Sequence, residues 1–324
     1  MIGKIALSLA LTALIPAGIA LGLIASQSPG SLTADEGLDF SRQVATGIAP
    51  LPVQPVQMRD GFPLQVRHLP GPDGAPLIVM VHGSGWHGGQ FDGLALALAE
   101  QAEVLVPDLR GHGAQPGRRG DIDYVGQFED DLADLITAFH KPGQRVILLG
   151  HSSGGGLVVR MAGGTHGSRL DGAILLAPFL HHSAPTARKN SGGWAHVLLR
   201  RMIGLSMLNA VHVTALNHLT VIQFAMPQSV LDGPLGNTAT TAYSYRLNTS
   251  YAPHNDYKAD IAALPPFLLV VGDGDEAFVP DQYQPLMQGL TEAGHYALLP
   301  GVSHLDVVND PNTLTLIQDF LREF

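Results

Sequence analysis

The stretch Val146-Ile147-Leu148-Leu149-Gly150-His151-Ser152-Ser153-Gly154-Gly155-Gly156 decides how the rest of the chain is read. Four apolar residues run into Gly-x-Ser-x-Gly, and a helix-compatible run, Leu157-Val158-Val159-Arg160-Met161-Ala162, follows. Strand, sharp turn and helix form the context in which this motif lifts a serine hydroxyl clear of a sheet. Gly150 and Gly154 fit the same turn, because a Cβ at either position would meet the neighbouring strand or helix. A glycine-rich loop before an ordinary helix is the simpler alternative. The remaining segments decide between the two.

Upstream, Leu77-Ile78-Val79-Met80-Val81 is a continuous apolar run, and Val104-Leu105-Val106 is another. Downstream come Ala173-Ile174-Leu175-Leu176, Phe267-Leu268-Leu269-Val270-Val271 and the short Tyr296-Ala297-Leu298-Leu299. Such runs predict strands buried on both faces, as in a parallel sheet. Residues 91–101 have helical spacing. Phe128, Leu132, Leu135, Ile136 and Phe139 form an apolar face opposite Asp130, Asp131 and Asp134. Asn309-Asp310-Pro311 opens a last helix. Near the start of the body, Val56–Arg59 and Leu64–His68 flank Asp60-Gly61 as a β-hairpin. Strands alternating with helices predict a doubly wound, mainly parallel α/β sheet.

The body so defined covers residues 53–324. Residues 180–263 break its rhythm and predict a helical cap over the carboxyl ends of the strands. That stretch carries six basic residues (Arg188, Lys189, Arg200, Arg201, Arg246, Lys258) against Asp232, Asp256 and Asp260, on a chain of net charge −10. Its six histidines have no metal-ligand spacing. A further helical layer without a role is the alternative.

The chain has 324 residues, 45% hydrophobic and 14% charged, enough for a large core. The acidic balance argues against a nucleic-acid partner. The absence of cysteine excludes disulfides and a thiol nucleophile. Residues 1–26 stand apart: Lys4 precedes an uncharged run from Ile5 to Ala25, about 30 Å long as a helix and able to cross a hydrocarbon core. Acidic Asp35, Glu36 and Asp39 follow, which predicts a membrane anchor with the body on the extracytoplasmic side. A cleaved signal segment, leaving a secreted or periplasmic protein, is the alternative. Residues 27–52, rich in Ser, Gly, Pro and Thr, predict a linker.

A serine hydroxyl needs a base and a group that orients the base. On a sheet of this kind the chain order is Ser, acid, His. Gly272-Asp273-Gly274-Asp275 follows the Phe267 strand; Asp275 is the expected acid and Asp273 its alternative. His304 lies past the last strand, where the base belongs; His295 begins that strand and should sit at its far end. Ser153 N–H, at a helix amino terminus, and Ser84 N–H, in His82-Gly83-Ser84-Gly85-Trp86-His87-Gly88-Gly89, are the expected oxyanion donors. That glycine-rich loop lacks the Gly-Lys-Ser/Thr ending of a phosphate cradle and the spacing of a dinucleotide fingerprint, so no cofactor is expected.

Together with Pro107-Asp108-Leu109-Arg110-Gly111-His112-Gly113, these motifs resemble the α/β-hydrolase family, and most of all its monoacylglycerol-lipase and lysophospholipase branch. The resemblance covers residues 53–324. It implies a serine esterase with the triad Ser152, Asp275 and His304, acting on a small-molecule or lipid ester. An amidase or peptidase using the same triad and a non-catalytic binding protein on the same fold are the alternatives.

Overall fold

The computed structural model describes residues 2–32, 38–40 and 47–323, with side chains from Leu14 onward. Eight strands form one sheet: β1 (Gln54–Gln57), β2 (Pro63–Leu69), β3 (Leu77–Val81), β4 (Glu103–Asp108), β5 (Val146–His151), β6 (Gly172–Leu176), β10 (Phe267–Gly272) and β11 (Gly294–Leu299). Their order is β1-β2-β4-β3-β5-β6-β10-β11. β1 and β2 pair antiparallel, as do β2 and β4; the other pairs are parallel. Every residue of β3, β4, β5, β6 and β10 is buried, as apolar runs covered on both faces require. The covering helices are α2 (Asp92–Leu98), α3 (Gln127–Phe139), α4 (Ser153–Gly163), α9 (Tyr283–Gln288) and α10 (Pro311–Leu321).

Two features of the topology place a site. From β3 the chain moves to β4 on one side, then returns past β3 to β5 on the other. The loops after β3 and β5 therefore diverge at a topological switch point, where a crevice opens at the carboxyl ends of the strands. The register also keeps those ends level: His151 pairs with Leu176, Leu176 with Val270, and Val270 with Ala297. Segments leaving β5, β10 and β11 thus meet at one rim.

The cap differs from the helical insertion expected. It holds α5 (Leu199–Asn209), α6 (Gln228–Leu231) and α7 (Tyr245–Tyr251), but also a three-stranded antiparallel sheet. Its strands are β7 (Ala195–Val197), β8 (Thr220–Phe224) and β9 (Ala242–Ser244). Thr220-Val221-Ile222-Gln223-Phe224 is rich in β-branched and aromatic residues, which pack well on a pleated surface. α8 (Tyr257–Ala262) returns to the body, where Asp260 leaves no room for a Cβ on Gly163 of α4.

The amino-terminal run is helical as α1 (Ile2–Ala25), but it does not stand free of the body. It lies along α5: Ala20 and Ile24 are buried there, and a Cβ on Gly204 would come 2.5 Å from the Ala20 carbonyl. Gln27 Oε1 accepts from Arg200 N–H at 2.9 Å, and Gln223 of β8 exchanges two hydrogen bonds with Gly30. Among the described residues no helix is long and apolar enough to cross a membrane. Within the expected linker, residues 33–37 and 41–46, with Asp35 and Glu36, lie outside the described residues. Leu38 and Phe40 are described, and both are buried against the body.

Candidate active site

Ser152 links β5 to α4 with φ 54° and ψ −122°, a backbone that a non-glycine residue rarely adopts. Such strain costs about 1–3 kcal/mol and persists only where the surroundings hold it. Here they do: Ser152 N–H donates to Leu176 O at 3.0 Å, and Ser152 O accepts from Gly156 and Phe179 N–H at 3.1 and 2.9 Å. The glycines carry the close approach. A Cβ on Gly154 would collide with the Val81 and His82 carbonyls of the neighbouring strand, and one on Gly150 with the backbone of Gly154.

Asp275 and His304 reach this serine from β10 and β11. His304 Nε2 lies 3.0 Å from Ser152 Oγ, and its Nδ1 lies 2.9 Å from Asp275 Oδ2. Nδ1 faces a carboxylate, so it carries the proton and leaves Nε2 free to accept from the serine hydroxyl. Asp275 Oδ1 accepts from Ala277 and Phe278 N–H, both at 2.8 Å. Burial pushes the Asp275 carboxyl up, but the His304 ring and these N–H donors outweigh it and hold the group below the usual carboxylate range. Asp273, the alternative acid, is exposed and accepts from Gly301 N–H at 2.6 Å, a turn contact. His295 lies in β11, exposed beside Glu323.

The two expected oxyanion donors border the same space. Ser153 is the first residue of α4, where an N–H has no intrahelical partner. Ser84 lines the pocket with Ser152 and His304.

Sequence reading missed the groups that tie these loops together. Gly83 N–H donates to Gln90 Oε1 at 3.3 Å, and Gln90 Nε2 lies 3.3 Å from His151 Nδ1. His151 Nε2 then lies 2.9 Å from the carbonyl of His304. Burial, reinforced by the adjacent His304, pushes His151 down to about 3, so it is neutral: Nδ1 accepts and Nε2–H donates. Glu276 Oε2 accepts from His304 N–H at 3.0 Å. His151 sits inside the motif, and Glu276 next to the acid; Gln90 carries no local signal. The Asp-x-Arg-Gly-His-Gly turn is structural at its charged positions: Asp108 pairs with Arg67 at 2.7 Å, and Arg110 with Asp131 at 2.7 Å.

The pocket over Ser152 is small, a cavity of about 10 Å³ whose walls beyond the polar site residues are apolar. Two of its walls are Leu38 and Phe40, from the segment expected to be a linker. The Phe40 ring sits between Trp86 (5.4 Å between centroids) and Trp194 of the cap (5.3 Å). No carboxylate side chain lines this pocket among the described residues.

Comparison with known proteins bears on the family to which the chain belongs. An uncharacterised protein of Mycobacterium tuberculosis is 33% identical over 87 residues, 27% of this chain and 25% of that protein. Monoglyceride lipase of Rattus norvegicus is 31% identical over 144 residues, 43% of this chain and 45% of that enzyme. The chain thus matches a quarter to about half of the length of these curated relatives. Among solved structures, Paleococcus ferrophilus monoacylglycerol lipase superposes with a TM-score of 0.58 at 22% identity, over 80% of this chain and 98% of that one. A bacterial membrane phospholipase A gives 0.57 at 20% identity, over 99% of this chain and 98% of that one. Both share the α/β-hydrolase fold. The family model described as serine aminopeptidase, S33, matches residues 73–312, and the chain belongs to that family of α/β-hydrolases.

Proposed function

We propose that the protein is a serine hydrolase of carboxylic esters bearing an apolar acyl or alcohol group. One observation carries this reading: the Ser152–His304–Asp275 chain of contacts ends at a pocket walled by Leu38, Phe40, Trp86, Trp194 and Leu305. Ser152 Oγ attacks the ester carbonyl while His304 Nε2 takes its proton. Asp275 holds the imidazole in the tautomer this needs and stabilises the imidazolium. The oxyanion forms against the Ser84 and Ser153 N–H groups, at the positive end of α4. His304 returns the proton to the leaving alkoxide. Water, deprotonated by the same imidazole, then cleaves the acyl-Ser152 ester and frees the acid.

The family model's description favours a second reading, hydrolysis of amino-terminal peptide bonds. A peptide amino terminus is a cation, and its recognition calls for an anion within reach. The absence of a carboxylate from the lining, among the described residues, supports the ester. Likeness to monoglyceride lipase supports a lipid ester. We also propose that the amino-terminal segment tethers the body to lipid on the extracytoplasmic side; the exposed Leu14, Ile15, Ile19 and Leu21 of α1, with Leu199 and Ile203 of the helix it packs against, support the lipid contact.

A fluorophosphonate should label the full-length protein once, and Ser152→Ala should abolish the label; labelling that persists refutes the nucleophile. Turnover of an ester and an amide sharing one acyl group separates the two substrate readings. Intact mass of the labelled protein also reports whether residues 1–26 remain.

A further inference from the structure

The loop that carries Ser84 is fastened to the cap, and the fastening falls on its neighbour. Gly85 is held at both backbone groups. Its carbonyl accepts from Thr240 N–H at 2.9 Å, and its N–H donates to Tyr243 Oη at 2.6 Å. On the other side, Gly83 N–H is taken by Gln90. Between them, the Ser84 N–H has no acceptor among the described residues. A second cap tyrosine, Tyr251 of α7, donates from Oη to His82 O at 3.0 Å. Gly85 has φ +79°, and a Cβ there would come 2.9 Å from Trp194 Cζ2, so the cap closes on the loop at this residue.

Tyr243 is buried in β9, and its hydroxyl is oriented from behind. His112 Nδ1 lies 3.1 Å from Arg110 O, which only accepts, so Nδ1 carries the proton. His112 Nε2 then accepts from Tyr243 Oη at 2.7 Å. Burial pushes His112 well below its ordinary range and keeps this tautomer neutral. The hydroxyl proton is committed to His112, and a lone pair of the same oxygen faces Gly85 N–H. Neither Phe at position 243 nor a protonated ring at position 112 could do this.

We propose that Tyr243, seated by His112, is a positioning residue for ester hydrolysis: by taking the Gly85 N–H it leaves the Ser84 N–H as the donor for the oxyanion, and so makes the cap part of the catalytic scaffold. This rests on the esterase reading above. Without the phenol oxygen, a buried N–H beside the site is unpaired. The turn then relaxes to satisfy it, and Ser84 N–H loses its aim. The effect falls on the transition state, where the oxyanion exists, and not on substrate binding.

The test uses the full-length protein, a p-nitrophenyl butyrate assay and a trifluoromethyl ketone. The ketone adds to Ser152 and places an oxyanion against the same donors. Concentrations are set by fluorophosphonate titration of Ser152, so that only folded sites are counted. Tyr243→Phe should lower kcat about 10- to 100-fold, within the 10²–10³ that loss of a whole donor costs. KM should stay within about threefold, and ketone affinity should fall in step with kcat/KM. The pH profile should keep its shape, because the triad is untouched. His112→Asn should move both quantities the same way by a smaller factor, and decides the matter if Tyr243→Phe does not fold. Per titrated site, a kcat and ketone affinity within twofold of the parent would overturn the proposal, whatever happens to thermal stability. A parent protein that neither turns over esters nor takes the label would overturn the esterase reading instead.

Discussion

Acidification from pH 7.5 to 5.5 should destabilise this protein by several kcal/mol. His82, His87, His112 and His151 are all buried. Burial pushes His82 and His87 down to about 4, His151 to about 3 and His112 well below the ordinary value. In the unfolded chain each returns to a pKa of about 6.5. The folded pKa is depressed, so each contribution is fully present above pH 6.5 and is lost as pH falls from there toward the folded value. Between pH 7.5 and 5.5 each histidine costs about 1.4 kcal/mol by this linkage, or about 5–6 kcal/mol for the four.

Two buried acids work the other way, and in Asp92 burial raises the carboxyl against the pull of Arg67. Burial raises Asp131 to about 6 against the pull of Arg110, so the folded state takes up its proton first. That returns about 1 kcal/mol over the same interval. For the four histidines and Asp131 together the loss is about 4–5 kcal/mol, against a total of about 5–15 kcal/mol for a typical domain. Urea unfolding followed by tryptophan fluorescence at pH 7.5, 6.5 and 5.5 measures it. His87→Asn, whose amide oxygen can still accept from Gly89 N–H, should remove about a quarter of the histidine contribution. A stability that moves by less than about 1 kcal/mol between pH 7.5 and 5.5 would refute the argument, because it would mean that these rings are protonated in the folded protein.

Two further outcomes are expected. Asp275→Asn keeps an acceptor for the Ala277 and Phe278 N–H groups but turns an amide N–H toward His304, forcing the wrong tautomer; kcat should fall by about 10⁴ with an unchanged circular dichroism spectrum, and a loss below tenfold would count against the acid. Phe40→Ala removes the ring held between Trp86 and Trp194; burial of a Phe stabilises its site by about 3–5 kcal/mol, so labelling of Ser152 by a long-chain alkyl fluorophosphonate should accelerate about tenfold or more, and an unchanged rate would show that substrate enters by another path.

What the sequence made legible follows one physical line. Leu77–Val81 and Phe267–Val271 read as buried strands because both of their faces are apolar, a property of the run itself. Gly150 and Gly154 read as an elbow because local backbone sterics require them. Asp275 and His304, whose side chains meet beside Ser152, could be singled out from among 15 histidines and many acids only because chain order on a parallel sheet fixes which loops share a rim. The cap was legible as an interruption but not as a sheet: short strands such as Ala195–Val197 and Ala242–Ser244 gain their pairing from distant partners. Gln90, Glu276, Tyr243 and Phe40 were illegible for the same reason. Each acts through a contact with a residue far away in sequence or through a loop turn, and no periodicity announces it.

The acid lability and the geometry of the site have one origin. Each of the four buried rings uses a nitrogen as an acceptor: His82 Nε2 from Leu109 N–H, His87 Nδ1 from Gly89 N–H, His112 Nε2 from Tyr243 and His151 Nδ1 from Gln90. Three of them donate from the other nitrogen to a backbone carbonyl at Gly83, Arg110 or His304. A neutral imidazole accepts and donates along two fixed directions at once, and a protonated one can only donate. Protonation would set N–H against N–H or O–H at the points where the oxyanion loop, the elbow and the base loop are joined. Lowering the pH therefore attacks the site through its supports. Loss of turnover on the acid side should then carry a cooperative component that follows unfolding, resolved by measuring initial rates within seconds of a pH jump.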